Sequence, residues 1–303
     1  MPPKRNAAEQ LAAFHRDIER TMDGRAADVS ERIVGEMTAE SNRYGRRIDR
    51  SGSRVVNAQV ERGMLALYSD MVHRSAGVMV DEMGGLVHEA TADANMRLAR
   101  VFRNVDGAVP EALNESMTSQ ARRALRAQVM NQIAQQDMRA GWGPNVQAAV
   151  AASLAQARQD GLTVQAAVAE IDRAVRDLQW QIDMAAQTHA AAAYNGAQND
   201  TLRDISETVP ELYKRWTELI DDRTGQGFDK RVANDSYVLH GQVVHAEMLF
   251  VMPPDPRVPT KLHGKTWPHP PNRPRDRAVI VPWRPMWGVP AWEYRNGNRV
   301  TLS

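Results

Sequence analysis

The spacing of apolar positions changes character once along the chain, near residue 200. Before that point apolar side chains recur at intervals of three and four, the period of a helix with one buried face. Ala26, Val29, Ile33, Val34 and Met37 mark one helix, expected to end in the basic run Arg43-Tyr44-Gly45-Arg46-Arg47, with a turn from Asp49 to Gly52. A second pattern runs from Arg54 to about Val105 through Val56, Val60, Met64, Leu67, Met71, Val78, Met79, Met83, Leu86 and Val87. Gly84-Gly85 interrupts it, and adjacent glycines cost roughly 1 kcal/mol each against alanine, so a bend or break is expected there. A third helix follows Pro110 with Leu113, Met117, Ala121, Leu125, Val129 and Ile133, and Gly141-Trp142-Gly143-Pro144 is expected to stop it. An alanine-rich helix over about 145–159 ends at Gly161. Thr163 then caps a long helix with the stripe Val164, Ala167, Val168, Ile171, Val175, Leu178, Ile182 and Ala185, expected to run on through Tyr194.

After Thr208-Val209-Pro210 the texture is that of short strands between irregular segments. Leu212-Tyr213-Lys214-Arg215-Trp216, Tyr237-Val238-Leu239, Met248-Leu249-Phe250-Val251 and Val279-Ile280-Val281-Pro282-Trp283 are strand candidates. Pro253-Pro254-Asp255-Pro256 cannot join a central ladder and reads as a loop. From Trp287 to Ser303 the pattern suggests an irregular arm, with Trp292 and Tyr294 as anchors. The fold class is therefore mainly α with a smaller α+β C-terminal domain. The expected parts are an extended helical region over 1–200, a compact mixed domain over 201–285 and an arm over 286–303. Composition sharpens this boundary: twelve of 16 prolines lie from Pro210 onward, five of seven tryptophans lie from Trp216 onward, and twelve of 15 methionines precede residue 200. Proline breaks helices and tryptophan anchors small cores, so the two parts must be built differently.

Charge and cysteine content narrow the chemistry. The formal net charge is +1, which drives no wholesale attraction to nucleic acid or membrane. The chain has no cysteine, so disulfides, thiolate metal sites and thiol nucleophiles are excluded. The start, Met1-Pro2-Pro3-Lys4-Arg5-Asn6, carries no apolar signal region, and no stretch approaches the roughly 20 apolar residues that cross a bilayer. A protein made in the cytoplasm that stays soluble, without a membrane partner, is expected.

Three groupings invite a chemical reading. Asp221-Asp222-Arg223-Thr224 places two carboxylates beside an arginine; with no second catalytic group spaced near them, a salt-bridged turn is the better reading. His240, His245, His263 and His269 are spaced unlike known metal-ligand patterns, and no metal or cofactor is expected. Arg273, Arg275, Arg277, Arg284, Arg295 and Arg299, interleaved with Trp283, Trp287, Trp292 and Tyr294, suit either nucleic-acid contact or a protein interface rich in hot-spot residue types. Gly225-Gln226-Gly227 lacks the strand and helix context of a phosphate loop, and Gly-x-Ser-x-Gly does not occur.

The order of these features resembles the phage Mu F-like minor head protein family, also called head morphogenesis proteins. Gly161-Leu162-Thr163 opens the long helix and Gln187-Thr188-His189 with Ala193-Tyr194-Asn195 closes it, where the family has Arg-Thr-Glu followed by Ala and Asn. Trp216, Asp221-Asp222-Arg223-Thr224, Leu239-His240-Gly241, Phe250, Pro253-Pro254 and His269-Pro270-Pro271-Asn272-Arg273 then follow in the family's order. Ser236 stands where the family often has its first histidine, and both cysteines of the closing segment are missing. The resemblance covers roughly the last 140 residues. It implies a non-enzymatic minor capsid protein of a tailed phage, retained in the virion head, that binds the portal and links it to capsid or scaffold protein during assembly. It also implies few copies per head. Trp216, Asp221, Asp222, Arg223, Thr224, His240, Gly241, Phe250, Pro253, Pro254, His269, Trp283 and Trp287 would then form the structural and partner-binding module. The rival readings are an internal DNA-binding ejection protein, with packaged DNA as partner, and a hydrolase or toxin-type enzyme.

Overall fold

The computed structural model describes residues 6–50, 55–114, 119–218, 234–272 and 276–302. Asp221-Asp222-Arg223-Thr224, Arg273 and Arg275 lie outside the described residues. The protein is mainly helical, with a smaller α+β portion towards the C-terminus. It forms two compact units: Gly24–Gly84 with Gln128–His189, and Met1–Asp23 with Gly85–Ala127 and Ala190–Ser303. The second unit groups the C-terminal strands with parts of four α-helices from earlier in the chain.

The long helices are α1 (Ala7–Arg50), α2 (Ala58–Val105), α3 (Ser119–Gln132) and, after two short pieces, α5 (Trp142–Gln159), α6 (Val164–Asp177) and α7 (Gln179–Ser206). Between α3 and α5 lie one π-helical turn, Ile133–Asp137, and the single turn α4 (Met138–Ala140). In the first unit the expected stripes form the core: Ile33, Met37, Met64, Met71, Ile171 and Val175 are all buried, and Val150 and Leu154 of α5 join them. Thr163 caps α6 as expected, its hydroxyl accepting from the Ala166 amide at 3.2 Å.

Four helix boundaries differ from the sequence expectation. Helix α1 continues past Arg47 to Arg50. Helix α2 runs unbroken through Gly84-Gly85, because Met83, Leu86 and Val87 are buried on either side, and tertiary burial outweighs the glycine propensity. Gly141 interrupts the chain for one residue only. Trp142 is already in α5 and fully buried, and Pro144 falls in the first helical turn, where no amide donor is needed. The long capped helix is divided at Leu178 and resumes as α7, reaching Ser206.

In the second unit, β1 (Tyr213–Thr217) is the middle strand of an antiparallel sheet ordered β2-β1-β5, with β2 at Val243–His245 and β5 at Val279–Trp283. Pro282 sits in β5, an edge strand, opposite Lys214. Strands β3 (Phe250–Val251) and β4 (Thr266–Trp267) pair across the proline-rich loop. Two segments depart from expectation. Tyr237-Val238-Leu239 belongs to a short helix, α8 (Asn234–Leu239), which buries Ser236 and Leu239 on one face at a spacing of three, a placement a strand cannot make. The terminal segment is an antiparallel hairpin, β6 (Ala291–Arg295) with β7 (Asn298–Leu302), turned at Asn296 and Gly297 with φ of 50° and 81°. Asn-Gly is a preferred type I′ hairpin turn, so this element was encoded locally.

Candidate functional site

Strand β1 organises the motif residues. As the central strand it is flanked on both edges, and Lys214, Arg215, Trp216 and Thr217 are all buried. The Trp216 ring meets the Phe250 ring edge-on, centroids 5.2 Å apart. Its indole N–H donates to Glu218 Oε1 at 3.0 Å. The Glu218 amide in turn donates to His240 Nδ1 at 3.0 Å, and the Gly241 amide to the Trp216 carbonyl at 2.8 Å. Gly241 has φ +82°, and a Cβ there would lie 3.3 Å from the Trp292 ring, so the position suits glycine on two grounds. Trp292 closes the circuit by donating from Nε1 to the His240 carbonyl at 2.8 Å and from its amide to the Gly241 carbonyl at 3.0 Å.

Two side-chain amides extend the backbone ladders. Asn195 on α7 donates to the Ala278 carbonyl and accepts from the Ile280 amide, both at 3.0 Å, and so pairs with β5 as a strand would. Gln242 makes the same double contact with Val251, at 2.9 Å each way. Ser236 is buried and donates to Asp276 Oδ1 at 3.0 Å, while Asp276 also accepts from the amides of Asn272 and Ala278.

The titratable groups here are perturbed chiefly by loss of water. Burial holds His240 down to about 3, with Arg215 adding to the effect, and holds His15 and His269 down to about 4. Burial also lowers Arg215 to about 10. These imidazoles are neutral near pH 7, when they serve as hydrogen-bonding parts of a core. His269 donates from Nδ1 to the Pro270 carbonyl; His263 folds back on the carbonyls of Asp255 and Val258, each at 3.2 Å; His245 is exposed beside the Tyr213 ring. The four histidines do not converge, and among the described residues no group of three or more His, Asp or Glu side chains is placed to hold a metal ion.

The remaining expected residues lie as follows. Pro253 is buried and Pro254 exposed in the loop that joins β3 to β4. Trp283 is buried and donates to the Val289 carbonyl at 2.8 Å. Trp287, also buried, donates to Asp106 Oδ1 at 2.6 Å, and Arg284 pairs with the other oxygen of Asp106 at 2.7 Å. Arg277 pairs with Glu19 and, at 2.7 Å, with Asp23. Of the described arginines of the basic set, Arg277 and Arg284 are held by these carboxylates and Arg295 pairs with Glu293, while the exposed Arg299 lies over the Trp292 ring, 4.4 Å from its centroid. A groove of about 460 Å³ opens beside Arg284, lined in part by Phe102, Asp106, Pro110 and Pro210.

Sequence reasoning passed over the most unusual polar group. Lys214 is fully buried in the middle of the sheet; its ammonium donates to Asn199 Oδ1 at 2.7 Å and to the Pro268 carbonyl at 2.8 Å. The signal was present: Lys214-Arg215 lies inside a strand that ends in tryptophan, and an inward-facing charge there must find partners. Comparison with known protein families, with characterised proteins and with solved structures found no match to this chain. Among the described residues no helix is long and apolar enough to cross a membrane.

Proposed function

We propose that this chain is a minor head protein of a tailed phage, which binds the portal and ties it to capsid or scaffold protein as the head assembles, and which stays in the virion. The single observation that carries the reading is how the motif residues are used. Asn195, Trp216, His240, Gly241 and Phe250 are spread over about 55 residues of sequence, yet their polar atoms and rings engage one another or adjoining backbone in one small core. Residues employed in this way define a folded adhesion module, and their order is the order that suggested the family. His240, His269 and Trp216 are committed to the fold, which favours binding over turnover as the mode of action.

Most of the described arginines of the basic set favour a protein partner over DNA. Arg277 and Arg284 are neutralised by Glu19, Asp23 and Asp106. Stable phosphate contact needs unpaired positive charge. What the unit does present outward includes the large apolar side chains of Met248, Leu249 and Met286.

Co-expression with the portal protein of the same genome, followed by size-exclusion chromatography, tests the reading. The expected result is co-elution with the portal ring, weakened when Met248 and Leu249 are both replaced by serine. Absence of association with portal, coat and scaffold proteins alike would defeat it. Salt-dependent binding to duplex DNA in place of portal binding would transfer the assignment to the ejection reading.

A further inference from the structure

Lys214 and Asn199 form an unusual pair: an amine and a carboxamide, both buried, held in contact between a helix and the central strand of a sheet. The Lys214 Nζ lies 2.7 Å from Asn199 Oδ1, which places the amine beside the amide carbon that carries this oxygen. The Asn199 Nδ2 donates in turn to Asp200 Oδ1 at 3.3 Å, so a carboxyl group stands at the amide nitrogen. The Phe250 ring lies 5.5 Å from the amine and helps to keep water away. Nucleophile, electrophile and proton carrier are thus assembled in a site largely closed to water.

We propose that Lys214 and Asn199 condense to an intramolecular isopeptide bond, with Asp200 carrying the proton, so that α7 and β1 become covalently joined. The neutral Lys214 amine adds through its lone pair to Asn199 Cγ, forming the new C–N bond. Asp200, as the carboxylic acid, gives its proton to the departing Nδ2. The tetrahedral centre collapses, the Cγ–Nδ2 bond breaks and ammonia leaves. The proton surplus on the former lysine nitrogen returns to the Asp200 carboxylate. Atoms balance as amine plus primary amide giving secondary amide plus ammonia, and no oxidant, metal or other reactant enters.

The surroundings move both groups in the direction that the step requires. Burial, followed by the nearby Arg203, lowers Lys214 to about 8, so a useful share of it is neutral near that pH. Burial raises Asp200 above the ordinary carboxylate value. Holding the reacting groups in contact removes much of the entropic barrier to a slow bimolecular reaction.

Mass spectrometry of the purified full-length chain, after prolonged incubation in the folded state between neutral pH and about pH 8, decides the matter. The expected chain is one ammonia lighter than its sequence mass. Trypsin should then fail to cut at Lys214 and should release the peptides 177–203 and 204–215 as one branched species, joined between residues 199 and 214. The branched species separates this bond from ring closure at Asn195-Gly196 or Asn296-Gly297, which also expels ammonia but leaves linear peptides. Asp200→Asn should leave the sequence mass intact while far-UV circular dichroism is unchanged. Full sequence mass in the incubated wild-type chain overturns the proposal, as does loss of ammonia confined to a linear peptide.

Discussion

The two compact units solve the burial problem differently. The unit formed by Gly24–Gly84 and Gln128–His189 is a set of helices whose apolar stripes meet. Polar groups are few in its core, and the clearest pair is Asp137 with His189, 2.7 Å apart, where Asp137 ends the π-helical turn. The unit that contains the sheets buries His15, Lys214, Arg215, His269 and Asp276 and holds His240 half-buried. Helices satisfy their own backbone, so a helical core asks only for apolar volume. Short strands, tight turns and loops leave amides and carbonyls that side chains must answer. Asn195, Gln242 and Asp276 do this work. The lesson is that polar residues in the second core are part of its framework, and their chemistry follows from the folding requirement.

The contrast can be broken most strongly at Trp216. Trp216→Ala removes the centre of the sheet unit and should cost about 3–5 kcal/mol. Near-UV circular dichroism should show it as an early loss of aromatic signal on heating, because five of the seven tryptophans lie in that unit. Retention of the wild-type melting profile would show that the ring is not the keystone described here.

Acid should separate the units next. His240 is ordinarily protonated at 6.5, but the folded protein resists this down to about 3. The unfolded chain therefore binds the proton first. The contribution is complete above pH 6.5 and lost as pH falls towards the folded value, at up to about 1.4 kcal/mol per pH unit, or about 3 kcal/mol over two units. Asp200, raised by burial, acts in the opposite sense. Urea midpoints of the wild type and of His240→Gln, compared between about pH 7 and about pH 4.5, isolate the histidine. The wild type should lose more stability, and parallel curves would refute the assignment.

Smaller effects sharpen the comparison. Asp137→Ala leaves the buried His189 without its partner and should cost about 1–3 kcal/mol, read from the denaturation midpoint. Gly241→Ala forces a side chain into the left-handed region and towards Trp292, at about 1–2 kcal/mol. Arg173→Ala removes only an exposed pair with Glu170 and should change stability by less than about 0.5 kcal/mol, which sets the floor for the series.

The helices were legible because their signal is periodic and local: the stripes of α1, α2 and α6, and the cap at Thr163, read directly from residue order. Gly84-Gly85 misled because propensity is weak beside the burial of Met83, Leu86 and Val87. In the C-terminal part, β1, β5 and the proline loop were readable from composition. Helix α8 was not, since three apolar residues in a row fit strand and helix equally. The hairpin β6–β7 was announced by Asn296-Gly297 and was overlooked beside the basic and aromatic residues around it.

By itself the sequence determined the class of fold, the point where helix gives way to sheet and the set of residues that anchor the sheet core, because periodicity, proline and tryptophan act over a few residues. Only the tertiary structure decided what those residues touch. Asn199 and Lys214, Glu218 and His240, Asp106 and Arg284 are each brought together by pairing and packing across long separations, and no local pattern specifies which buried donor meets which acceptor.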